Sequence, residues 1–171
     1  NDLIDHAENA GVRIVNMSMG SYSQDDWTCF YDGAKQHPHI LFVISAGNDG
    51  FDIDVNPVFP ASFDLENIVV VTSSDLFGRL PPQSNYGRVS VDLMVPAEQV
   101  DVFDHRGVFT TASGSSFAAP RVAALAARFL KKNVEASTAD IIDFLKSRAI
   151  NSGSTPVRFG WIPDPSDDFK L

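Results

Sequence analysis

The chain is short of the groups that several function classes require. One cysteine, Cys29, stands among 171 residues, so an internal disulfide is excluded. No CxxC or Cys/His spacing of a zinc site occurs. One cysteine fits a cytosolic protein and a secreted bacterial one equally. Positive charge is scarce: 13 Lys and Arg against 22 Asp and Glu give a net charge of −9 and a pI near 4.7. That balance argues against a nucleic-acid or anionic-membrane surface. No run approaches the roughly 18 apolar residues of a membrane span. Internal repeats, low-complexity tracts and an interdomain linker are also missing. What remains is 44% hydrophobic and 20% charged, the composition of one globular domain with a substantial core.

In that domain the most informative stretch is Thr110 to Pro120 and the helix formers after it. Small residues lead into Ser116, and the composition predicts a helix over roughly 116–132 with a proline in its opening turns. A serine beside the unpaired amides and positive dipole end of a helix suits an acyl-transfer nucleophile. It equally suits a helix N-cap. Residues 1–11 read as an amphipathic helix already in progress and closed by Gly11, an opening that leads us to expect more of the domain upstream. Strands are expected at 12–17, 40–46, 67–72 and 91–96, and helices at 23–37 and 138–149. A hairpin should turn at Asp104–Gly107, followed by an extended tail around 159–165. Near-continuous apolar strands alternating with helices imply an α/β domain whose parallel sheet is covered on both faces. Ligands bind such sheets beyond the strand C-termini, which brings Met19-Gly20, Gly47-Asn48 and the turn before Ser116 to one rim.

Five segments, in order, resemble the subtilase (subtilisin-like) serine proteases. Ser113-Gly114-Ser115-Ser116-Phe117-Ala118-Ala119-Pro120 resembles the family's nucleophile motif. Ile14 to Gly20 is similar to its substrate-binding strand, and Ser45-Ala46-Gly47-Asn48 to the turn presenting the oxyanion asparagine. Phe59-Pro60-Ala61 and Ser84-Asn85-Tyr86-Gly87, with Val91 to Pro96, match later landmarks. The resemblance implies a three-layer, doubly wound, mostly parallel sheet lacking its N-terminal strands. Residues 1–171 would be the C-terminal part of one peptidase domain, with 165–171 as a tail. It further implies that Ser116 attacks the scissile carbonyl of a protein or peptide substrate. Asn48 and the Ser116 amide would donate to the oxyanion, while Ser18, Met19 and Gly20 would pair with substrate by strand addition. Ser45, Ala46 and Gly47 would wall the primary pocket, Val58 would make it shallow, and Asp49 would sit at its rim. A secreted or extracellular location is implied by the resemblance alone.

The departures from the family pattern are as instructive. Ser115 and Phe117 stand where threonine and methionine are usual, and the family's Asp-Thr/Ser-Gly and His-Gly-Thr-His motifs do not occur. His6, His37, His39 and His105 read as solvated surface residues, and none matches the family's base. A serine without a positioned imidazole is a poor nucleophile, so this chain alone is expected to be nearly inert. Three arrangements account for it: a truncated or nicked subtilase whose N-terminal part supplies Asp and His, a split enzyme with a partner chain, or a peptide-binding pseudoprotease. Without its neighbours the 12–18 strand would be an open edge, inviting a dimer or retention of the N-terminal part. Asp52, Asp54 and Asn56 alternate in a way that leaves structural calcium open, against a plain acidic loop. Trp27, Trp161 and the thirteen phenylalanines read as core, and Cys29 as a buried helix residue.

Overall fold

In the computed structural model, which describes residues 2–165, the apolar runs become strands and the amphipathic ones helices. In chain order these are α1 (Asp2–Asn9), β1 (Ile14–Met17), a 3₁₀ turn (Gln24–Trp27) and α2 (Thr28–Gln36). There follow β2 (Leu41–Ser45), β3 (Ile68–Ser74), β4 (Leu93–Pro96), β5 (Val100–Phe103) and β6 (Phe109–Ala112). The chain closes with α3 (Ser115–Lys132), α4 (Thr138–Arg148) and β7 (Gly160–Trp161). β1-β2-β3-β4-β7 make one sheet, every pairing parallel. β5 and β6 form a separate antiparallel hairpin, whose turn is tied by the Asp104 carboxylate accepting from the Arg106 and Val108 amides.

The period-two alternation of the strands sorts their side chains to two cores. Leu41, Val43, Val69, Val71, Leu93 and Val95 face α3 and α4. Phe42, Ile44, Val70 and Met94 face Ala34 of α2 and the loop residues Ile53 and Val58. Burial on both sides is why these strands read as unbroken apolar runs. α3 lies against the sheet through Ala118, Ala119, Val122, Leu125 and Ala126, small residues bringing its backbone near the strands. Serine 137 caps α4 in a capping box with Asp140. The layers are helix, sheet, helix, as the pattern implied.

Among the described residues β1 is an edge strand, with a partner in β2 only and with Asn16 exposed. Other expectations need correction. Cys29 is exposed, because α2 turns Phe30, Gly33 and Ala34 inward and residue 29 falls outside that stripe. Not every phenylalanine is core: Phe77, Phe103 and Phe109 are largely exposed, and the last two meet edge to face across the β5–β6 hairpin. His37 is buried, not solvated. Its Nδ1 lies 2.8 Å from the Gly33 carbonyl and its Nε2 lies 2.7 Å from Glu8, joining α1 to α2. Of the expected tail, residues 166–171 lie outside the described residues.

Candidate active site

Three loops meet at the C-terminal ends of β1 and β2 and at the start of α3. Ser18, Met19, Gly20, Ser45, Gly47, Asn48, Asp49, Val58 and Ser116 line one cleft of about 190 Å³, together with Ser21 and Tyr22. Ala46 does not line it. Its side chain is fully buried, and its carbonyl accepts from Asn85 Nδ2 while its amide donates to Val71. Val58 is buried and lines the cleft. The segment after Gly20 is pinned by two backbone bonds of 2.8 Å between Ser21 and Phe59. A side chain at Gly20 would meet the Phe59 carbonyl at 2.9 Å, so glycine is what lets this wall close.

Ser116 is not a helix cap. Gly114, at φ +124°, occupies the N-cap position, and Ser116 is the second residue of α3. A helix leaves its first four amides without intrahelical acceptors. Here Ser115 donates to Asn48 Oδ1 at 2.8 Å, and Phe117 and Ala118 donate to the Gly114 carbonyl. Among the described residues the Ser116 amide has no acceptor, so it is the donor available at the dipole's positive end.

The orientation of Asn48 follows from the same bond. An amide N–H can only donate, so the oxygen of Asn48 must face Ser115. Ser115 Oγ adds a second contact at 3.1 Å to that oxygen, and the Gly47 amide reaches Ser115 Oγ at 3.2 Å. Nδ2 is thereby turned the other way. The residue that replaces the usual threonine is therefore the clamp on the asparagine, a role its hydroxyl suits and that the sequence reading passed over.

A second residue whose role was missed is Asn85. It is fully buried, and its Oδ1 accepts from the Asp49 and Phe51 amides, each at 2.9 Å. Its Nδ2 donates to Ala46, and its own amide donates to Gly47. One side chain thus holds residues 46–51, the loop that carries Asn48. Position within a matched landmark was its only sequence signal. Tyr22, also missed, reaches Asp49 at the cleft mouth, and the carboxylate there raises the phenol's pKa.

Other candidate groups fall elsewhere. None of the four histidines lines the cleft. Asp54 uses its carboxylate on the Val89 and Ser90 amides, which holds its pKa down against the opposing effect of desolvation. Asp52 Oδ1 accepts from the Asp54 amide. Asp52 and Asp54 thus brace the loops at 52–54 and 89–90. Among the described residues no three His, Cys, Asp or Glu gather as a metal group.

A serine at a helix start, an asparagine clamped beside it and a strand-end segment thus share one cleft. The profile of the subtilase family matches residues 1–161. The chain belongs to the subtilase family. This subtilase is 30% identical to alkaline elastase YaB of Bacillus sp. (strain YaB) over 90% of its own length and 39% of that protein's. It is 28% identical to subtilisin BL of Lederbergia lenta, over 89% of its own length and 54% of that protein's. Among solved structures it is similar to a cold-adapted subtilisin-like serine proteinase, with a TM-score of 0.79, 28% identity, and coverage of 94% and 59% of the two chains. It is likewise similar to the self-cleaved protease domain of PatA, with a TM-score of 0.78, 26% identity, and coverage of 98% and 64%. The subtilase chain therefore spans about half or less of the curated relatives it matches.

Proposed function

We propose that this chain carries the nucleophile and the side-chain oxyanion donor of a serine endopeptidase. Ser116 Oγ attacks the scissile carbonyl, and the resulting oxyanion is met by Asn48 Nδ2 and the Ser116 amide. Ser18, Met19 and Gly20 pair with the extended substrate, Ser45, Gly47 and Val58 wall its primary side-chain pocket, and Asp49 stands at the rim. The observation that carries the reading is the Ser115 clamp on Asn48 Oδ1, which turns the donor Nδ2 away from Ser115 in a residue that lines the cleft. A binding module has no need of that orientation.

The aspartate and histidine of the triad come, in this proposal, from an N-terminal part of the same domain outside this sequence. The chain alone is accordingly inert, and the location is secreted. Strand β1 offers its free edge to that N-terminal part or, in its absence, to a second copy. The isolated chain should dimerise or aggregate through residues 12–18; a stable monomer with rapidly exchanging amides there would exclude this.

A fluorophosphonate probe on the full-length protein tests the enzymatic reading. Labelling of Ser116, lost in Ser116→Ala, supports it. Asn48→Ala should slow turnover on the order of 10²–10³-fold with little change in KM, the effect known for this kind of donor in a subtilisin. An intact protein that binds peptide yet takes no label would be the pseudoprotease instead, consistent with a cleft that no histidine lines.

A further inference from the structure

Helix α3 carries a proline where its ladder should be continuous. Pro120 is the sixth residue of Ser115–Lys132, and it lacks the N–H that would be donated to the carbonyl four residues back, that of Ser116. The carbonyl is not left bare. Ser18 Oγ donates to it at 2.9 Å, across 98 residues of sequence. Asn16 Nδ2 in turn approaches Ser18 Oγ at 3.2 Å, filling the hydroxyl's acceptor side and leaving its proton for Ser116. Ser18 and Ser116 line the same cleft.

We propose that Ser18 is a positioning residue for the nucleophile. Its hydroxyl replaces the helical donor that Pro120 removes and ties the Ser116 turn to the end of β1. With an ordinary residue at 120, the Ser116 carbonyl would be held by α3 alone. With proline there, it is held by the segment read above as pairing with substrate, so substrate register and nucleophile position are set by one bond. Both halves are needed: proline frees the acceptor and serine supplies the donor. The inference rests on the reading of Ser116 as nucleophile and adds to it a role for the Ser18 side chain, beyond its backbone.

Four forms of the full-length protein test it: wild type, Ser18→Ala, Pro120→Ala and the double variant. Ser18→Ala orphans a part-buried carbonyl, and fluorophosphonate labelling and kcat should fall about three- to tenfold with KM nearly constant. Pro120→Ala restores an N–H at the fourth residue after Ser116. In that background Ser18→Ala should therefore cost less than about twofold, and Ser18→Thr, which keeps the hydroxyl, should stay near wild type in either background. Equal losses from Ser18→Ala with proline and with alanine at 120 would overturn the proposal, as would no loss with proline. If wild type takes no label, the enzymatic reading fails, and the bond is decided by urea midpoints of the same variants. A lower midpoint for Ser18→Ala that Pro120→Ala relieves supports the tie; additive midpoints refute it.

Discussion

Replacing Asn85 by alanine should loosen the loop that carries Asn48 more than any exposed change nearby. The side chain makes three hydrogen bonds, each of 2.9 Å: it accepts from Asp49 and Phe51 and donates to Ala46. Alanine cannot replace any of them. The Ala46 carbonyl belongs to a fully buried residue, and a buried group left unpaired costs about 1–3 kcal/mol. The Asp49 and Phe51 amides lie nearer the surface, where water compensates, so each bond contributes only its net value of about 0.5–1 kcal/mol. The two backbone bonds of residue 85, to Gly47 and from Thr72 Oγ1, survive the substitution and keep the 84–87 turn in place. The sum is about 2–5 kcal/mol, a sizeable fraction of a domain's stability. Urea unfolding of the full-length protein measures it, and native-state amide exchange locates it: protection at Asp49 and Phe51 should drop while that of β3 is kept. Because Asn48 rides on this loop, labelling of Ser116 should slow as well. A loss below about 1 kcal/mol with unchanged exchange at Asp49 and Phe51 would refute the account.

Gly114→Ala tests the other side of Asn48. A Cβ there would meet Asn48 Oδ1 at 2.8 Å at a φ of +124°, so both stability and Ser116 labelling should fall. Gly107→Ala is the control: its φ is also positive, +75°, but nothing lies within 4 Å, so it should cost about 1 kcal/mol and leave labelling alone. Equal effects of the two on labelling would sink the argument. Asp92 supplies a pH dependence. Burial pushes its carboxyl up to about 6, outweighing the Val70 amide and the charges of Arg158 and Lys146. The folded state thus holds an extra proton between pH 4 and 6, and the stability tied to it is full below about pH 4 and lost as the pH rises through 6. The window is worth about 3 kcal/mol. Raising the pH from 4 to 7 should therefore cost wild type more urea stability than Asp92→Asn. Identical pH slopes would show that the carboxyl titrates as it does in water.

Much of the architecture was legible before any coordinates. β1 (Ile14–Met17), β2 (Leu41–Ser45) and β3 (Ile68–Ser74) fall on the stretches read as strands, and β2 and β3 read as near-continuous apolar runs because both sheet faces are covered there. The convergence of Ser18–Gly20, Gly47-Asn48 and Ser116 followed from their places after strands or before a helix. The failures share a cause. Cys29 and His37 were misplaced because helical stripe and inter-helix packing decide which side of a short helix is covered, and α2 has few apolar residues to announce it. Phe103 and Phe109 were assigned to the core by residue type, whereas the hairpin they sit on leaves the sheet.

Local chemistry along the chain therefore determined which segments are strands and helices and that Ser116 stands at a helix start. Tertiary structure alone decided who holds those groups. Ser115 clamps Asn48 across 67 residues, Asn85 ties the same loop from 36 residues away, and Ser18 reaches Ser116 across 98. Hydrogen bonds of 3 Å between distant residues leave no periodicity in a sequence, because they depend on where the sheet brings its loops and not on what stands beside each residue in the chain.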